Sequence, residues 1–172
     1  MSVNEELEEH VHHAQDPFDK IVAGSMAIIA ALLAIVSVLG QHYNTETLLN
    51  QQLASDEWSF YQGKDIRRYI AQTTHDSLAA LKGDPEAVNR YGDDAVKYRK
   101  QSLDIQEKAR DFEKERTRNR SVASRFHFGE VFLEVAIVFS SLSILFKRRP
   151  LFMAGVVSGL IGAVIALTAY WV

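Results

Sequence analysis

The sequence predicts an all-α membrane protein: three transmembrane helices, with a long antiparallel helical hairpin between the first and the second. Three observations carry this reading. Ile21–Gly40 and Leu151–Val172 carry no charge and Phe126–Phe146 carries only Glu130 and Glu134, and each segment is long enough to cross roughly 30 Å of hydrocarbon. Val88, Tyr91, Ala95, Tyr98, Ser102, Ile105, Ala109 and Phe112 recur at alternating steps of three and four, the seam of a helix packed lengthwise on a partner. Lys82-Gly83-Asp84-Pro85-Glu86 punctuates the chain midway between arms of equal length, 41–82 and 84–125. The predicted order is an acidic tail over 1–16, a transmembrane helix over 17–40, and an extramembrane hairpin over 41–125 with its tip at 83–85. A second transmembrane helix over 126–146 and a basic turn with a third over 147–172 complete it.

Averages alone would allow an ordinary globular domain, since 172 residues with 47% hydrophobic content are unremarkable in total. The concentration of that content into three runs decides otherwise. The absence of cysteine excludes disulfides and thiolate metal sites. In the tail, Glu5, Glu6, Glu8 and Glu9 accompany His10, His12 and His13, a set that suits a solvated tail better than a metal site, and no metal or other cofactor is predicted. An acidic segment ahead of the first apolar run, with no basic leader, argues against a cleaved signal peptide. Asp16 suits a helix N-cap and Pro17 the first helical position.

Within the first span Ala23, Gly24, Ala27, Ala30, Ala31 and Ala34 put small residues along one side, which predicts close helix packing in lipid. The helix is expected to continue beyond Gly40. In the arm that follows, Ser59, Gly63, Ile66, Ile70, Thr73, Ser77 and Ala80 form one small-sided seam able to accept Tyr91 and Tyr98. At the tip, Gly83 suits the C′ position of one helix, with Asp84 as N-cap and Pro85 in the first turn of the next. The return arm runs without glycine from Gly92 to Gly129, so hairpin arm and second span read as one helix of roughly sixty residues, on the order of 90 Å. Near its membrane end stand Arg116, Arg118, Arg120 and Arg125, candidates for contact with anionic lipid head groups. The alternative is a solvated helix laced with ion pairs, and nucleic acid is not an expected partner.

Only Lys147-Arg148-Arg149-Pro150 separates the second and third spans, so these form a tight pair with Pro150 opening the last helix. Gly155, Gly159 and Ala163 form one small-residue row and Ser158, Gly162 and Ala166 another, both suited to helix packing within or between protomers. Tyr170 and Trp171 suit the far interface. Orientation signals conflict: the short basic turn suits the cytoplasmic side, whereas the seven cations of 106–125 place the hairpin there. The larger count favours a cytoplasmic hairpin.

Glu130 and Glu134 lie one turn apart on one face of the second span, with His127 a turn earlier. Ionisable groups at such depth cost several kcal/mol unless neutralised, paired or hydrated, and mark a functional site by default. They could serve a proton or cation relay, or could fix helix register by bonding Ser25, Ser37 or backbone carbonyls, with Arg125 as a further partner. No P-loop, dinucleotide glycine pattern, nucleophile elbow or H-E-x-x-H occurs, so no enzyme is predicted.

Asp56-Glu57-Trp58-Ser59-Phe60-Tyr61-Gln62-Gly63-Lys64-Asp65-Ile66-Arg67 resembles the D-x-W-x-x-Y-Q-A-K-x-I-R/K segment of an uncharacterised bacterial membrane-protein family, a domain of unknown function. The resemblance extends to the alanine-rich first span, to Arg125, Phe126 and Glu130, to the Arg-Arg-Pro turn and to the glycine-rich third span; Gly63 stands where the pattern has alanine. It implies an integral location in the bacterial inner membrane and no assigned activity. Trp58, Tyr61, Gln62, Lys64 and Arg67 make a candidate interaction face. The expected function is a non-enzymatic membrane protein that self-associates or serves as scaffold or accessory subunit of a larger membrane complex. The alternative is an oligomeric proton- or cation-conducting subunit using Glu130 and Glu134. Expected partners are the lipid bilayer, copies of the chain or other membrane-protein subunits, and anionic lipids.

Overall fold

A computed structural model describes residues 17–171, so the predicted tail with its three histidines, the Asp16 cap and Val172 lie outside the described residues. Helix α1 covers Pro17–Ala80, α2 covers Pro85–Phe146 and α3 covers Arg149–Thr168, followed by a 3-10 turn at Ala169–Trp171. Each α-helix contains a stretch long and apolar enough to cross a membrane. The described residues form two compact units, one built from 17–44 with 120–171, the other from 45–119. The first therefore reaches about a turn beyond the predicted apolar limits at 40 and 126. Tyr43 explains this on α1, where its ring stacks on Phe126 at 5.9 Å, and Val122 does so on α2 by entering the same core.

In the 45–119 unit α1 and α2 pack side by side. The α2 seam follows the predicted spacing: Ala95, Ser102 and Ala109 are buried, with Tyr91, Tyr98, Ile105 and Phe112 half-buried between and beyond them. On α1 the expected seam is wrong. Ser59, Gly63, Ile66, Ile70, Thr73, Ser77 and Ala80 are all exposed, Ile66 and Ile70 at 59% each. The covered positions are instead Thr47, Asn50, Ala54, Glu57, Tyr61, Lys64, Arg68, Ala71, His75 and Leu78, again at alternating steps of three and four. Most are polar, and Lys64 among them, like its neighbour Trp58, finds partners on the facing helix. Trp58 Nε1 donates to Glu113 Oε1 at 3.0 Å, Lys64 Nζ donates to Gln101 Oε1 at 2.9 Å, and the Lys64 ammonium lies 5.7 Å from the Tyr98 ring centre. Gly92 makes room for His75, whose Cδ2 would stand 3.2 Å from a Cβ there.

This assignment has a direct consequence. Ile66→Lys with Ile70→Lys should change the thermal stability of the full chain in mild detergent by no more than about 0.5 kcal/mol. Ala71→Leu, at a site only 4% exposed, should cost about 1–3 kcal/mol by overpacking the seam. Circular-dichroism melts of the three proteins distinguish the two faces.

The turn between α1 and α2 corrects a second expectation. The left-handed residue is Lys82, with φ of 51°, rather than Gly83. Lys82 N–H bonds the Ala79 carbonyl at 3.2 Å and Gly83 N–H bonds the Leu78 carbonyl at 2.9 Å, the paired bonds that close a helix with its left-handed residue at C′. Gly83 contributes space, since a Cβ would lie 3.3 Å from the Leu78 carbonyl oxygen. Asp84 then caps α2, its Oδ1 accepting from Glu86 N–H at 3.2 Å. Because a side chain disfavours the left-handed region, Lys82→Gly should stabilise the chain by about 0.5–1 kcal/mol, raising the melting temperature by roughly 1–4 °C.

The other unit packs its helices through small residues. Ile29, Val36, Phe126, Leu133, Ala136 and Ala166 belong to its core. Gly129 and Gly162 meet backbone to backbone: a Cβ on Gly162 would lie 2.7 Å from the Gly129 carbonyl oxygen, and one on Gly129 2.9 Å from that of Gly162. A Cβ on Gly155 would likewise stand 3.0 Å from the Ala136 carbonyl oxygen of α2, and Ser158 Oγ donates to the Phe132 carbonyl at 2.8 Å. Lys147, also left-handed with φ of 51°, follows the end of α2, where Arg148 N–H bonds the Ser143 carbonyl at 3.2 Å, and the Lys147 ammonium pairs with Asp19 at the start of α1. The small side of the first apolar stretch is not used here. Ala23, Gly24, Ala27, Ala30, Ala31 and Ala34 are all exposed, while Val22, Ile29 and Val36 face inward.

Candidate functional site

The carboxyl pair of α2 is split by its surroundings. His127 Nδ1 lies 3.2 Å from Glu130 Oε2, and the Glu130 side chain is only 22% exposed. Glu134 stands on the exposed side of the helix. Two of the partners considered for these carboxyls bond elsewhere: Ser25 Oγ donates to the Ile21 carbonyl at 2.9 Å, and Arg125 Nη1 donates to the Thr168 carbonyl at 3.0 Å. Arg125 thus closes the last turn of α3, where a cation also complements the negative end of the helix dipole. Arg125 is itself half-buried. Arg118 and Arg120 are exposed, and Arg116 is half-buried.

Exposed positions along α2 continue the row on which Glu134 lies. Ser124, His127, Val131, Glu134, Val138, Ser141 and Leu145 alternate by three and four and are all exposed, so polar side chains recur through the apolar stretch at the spacing of a helix seam.

The candidate interaction face does not hold together as one surface. Trp58, Tyr61 and Lys64 are half-buried against the facing helix, whereas Gln62 and Arg67 are exposed. The Trp58 and Tyr61 rings meet edge to face at 5.4 Å, as residues a helical turn apart on the packed side do. Ion pairs lie in and around this seam, half-buried at Asp65 and Arg68 and more exposed at Asp76 and at Asp111 and Lys114. Donation to Asp65 holds the Arg68 guanidinium pKa above its ordinary value, pairing with His75 holds the Asp76 carboxyl pKa below its own, and donation to Asp111 holds the Lys114 ammonium pKa above its own. Water screens such pairs, and they contribute little to stability.

The glycines selected from sequence for packing, Gly155, Gly159 and Gly162, are buried, and Ala163 is half-buried. Gly159 touches both other helices, with a Cβ there 3.4 Å from that of Ala136 and 3.6 Å from Ile29 Cδ1. Gly129 belongs with them. Its significance rests on Gly162, far away in sequence, and no local pattern marks it.

Together these features define an all-helical chain in which two long helices pack along each other and a short apolar third helix packs on α2 through glycine. Residues 18–172 match DUF4337, a domain of unknown function, and the chain belongs to that family. No curated protein and no solved structure matches it.

Proposed function

We propose that the chain is a non-enzymatic integral protein of the bacterial inner membrane, and that it self-associates, alone or as scaffold or accessory subunit of a larger membrane complex. The single observation that carries this reading is the outward row Ala23, Ala27, Ala30 and Ala34 on α1. In lipid, apolar surface by itself does not draw helices together; close backbone approach across small residues does. The glycines of α3 are occupied within the protomer, and the α1 row is left for a second protomer. The Asp56–Arg67 segment and the Arg125, Phe126 and Glu130 pattern support the bacterial membrane assignment by resemblance.

Alkaline carbonate extraction of membranes, followed by mass determination of the complex in mild detergent, tests both parts. Retention in the membrane and a discrete multimer are expected; release into the carbonate supernatant, or a lone monomer, counts against the reading. A second reading, oligomeric proton or cation conduction, draws support from exposed Glu134 beside the His127–Glu130 pair. Under it Glu134→Gln abolishes flux in proteoliposomes while the multimer survives. Unchanged flux would dismiss it.

A further inference from the structure

Near the N-terminal end of its apolar stretch, α2 borders an open cleft of about 340 Å³, closed on the other side by Asn44 of α1. Arg120 and Ser124 line one end, His127 stands midway, and Phe128 and Val131 line the other. The cleft is thus graded from polar to apolar over about 17 Å of helix. It lies where the sequence passes from 116–125, with four arginines and no carboxylate, into the apolar run that starts at Phe126. Phe128 and Val131 are 62% and 53% exposed, so the apolar end is open at the side.

We infer that this cleft is a binding site for an anionic phospholipid. It rests on the proposed membrane location. Arg120 receives the phosphate through charge-assisted hydrogen bonds, with the Ser124 hydroxyl and the Asn44 amide as further donors, and the first part of an acyl chain covers Phe128 and Val131. Free phosphate would use only half of this arrangement, because the apolar end offers it nothing. A surface collar without a site would treat neighbouring arginines alike. Arg118 and Arg120 are both exposed and two residues apart, yet only Arg120 lines the cleft.

The test uses the full chain in mild detergent, with dioleoyl phosphatidylglycerol or dioleoyl phosphatidylcholine added and binding read by native mass spectrometry. One phosphatidylglycerol is retained in preference to phosphatidylcholine. Arg120→Gln weakens its binding about tenfold or more, as loss of a charge-assisted contact does, whereas Arg118→Gln changes it less than about twofold. Val131→Trp, which fills the apolar end without altering charge, also weakens binding. Equal losses in Arg118→Gln and Arg120→Gln overturn the site in favour of a diffuse collar, and displacement of the lipid by inorganic phosphate overturns it in favour of a simple anion site. Unaltered lipid binding in both Arg120→Gln and Val131→Trp overturns it as well. Carbonate extraction of the wild type separates the two levels: release from the membrane defeats the membrane reading itself, while retention with any of these overturning outcomes defeats the lipid site alone.

Discussion

Gly162→Leu should prevent α2 and α3 from docking, and Gly162→Ala should cost about 1–3 kcal/mol. The reason lies in backbone rather than side-chain contact. A Cβ on Gly162 would lie 2.7 Å from the Gly129 carbonyl oxygen and 3.0 Å from Phe132 Cβ, and neither can rotate away. The helices must separate, which also strains the Ser158 hydrogen bond to Phe132 and the contacts of Gly155. Gly129→Ala meets the reciprocal obstacle at 2.9 Å. Because one separation relieves both clashes, the double alanine variant should cost less than the two single costs added. Gly63→Ala supplies the contrast: nothing lies within 4 Å of a Cβ there, and the substitution should stabilise by about 0.5–1 kcal/mol through helix propensity. Thermal melts in mild detergent measure all five. A Gly162→Leu protein that melts with the wild type would refute the packing described.

Gly24→Leu and Ala27→Leu should do the opposite, leaving the protomer folded while dispersing the multimer. Both positions are exposed, and a Cβ at Gly24 meets nothing within 4 Å, so the larger side chains are accommodated within a single chain. Against another α1 they hold the backbones apart and forfeit the close contacts that draw helices together in lipid. A loss of only about 1.4 kcal/mol at the interface weakens association tenfold. Sedimentation or light scattering at several protein-to-detergent ratios should therefore show the variants dissociating at concentrations where the wild type remains assembled, with helix content and melting unchanged. An unaltered size distribution would remove the α1 row from the interface.

The two predictions draw on different degrees of legibility in the sequence. The α2 seam could be read because Tyr91, Ala95, Tyr98, Ile105, Ala109 and Phe112 show their period in hydrophobicity. The facing α1 seam could not. Its covered positions include Asn50, Glu57, Lys64 and Arg68, while Phe60, Ile66, Tyr69 and Ile70 stay exposed, so hydrophobicity points to the wrong side. Across the hairpin Gln101 meets Lys64 of this seam and Glu113 meets Trp58 beside it, contacts that no single helix reveals. The turn at 81–84 was located by its residue types, yet the left-handed position fell on Lys82, since Gly83 is required for its closeness to Leu78.

The candidate site divides similarly. His127 and Glu130 are a turn apart on one helix, so their proximity follows from local geometry. Arg125 is surrounded by arginines that read alike, and what sets it apart is the carbonyl of Thr168 on another helix. Gly129 depends in the same way on Gly162. Small residues announce that a helix packs closely but do not say against what. Those of α3 are filled within the protomer, and those of α1 face outward.

The mass of the full chain extracted with its surrounding lipid into polymer-bounded discs, measured by native mass spectrometry, tests self-association most directly. The account predicts a discrete multiple of the protomer mass, with or without a stoichiometric second protein, reduced to a single protomer by Gly24→Leu with Ala27→Leu. A wild-type chain found as one copy at every loading would contradict it.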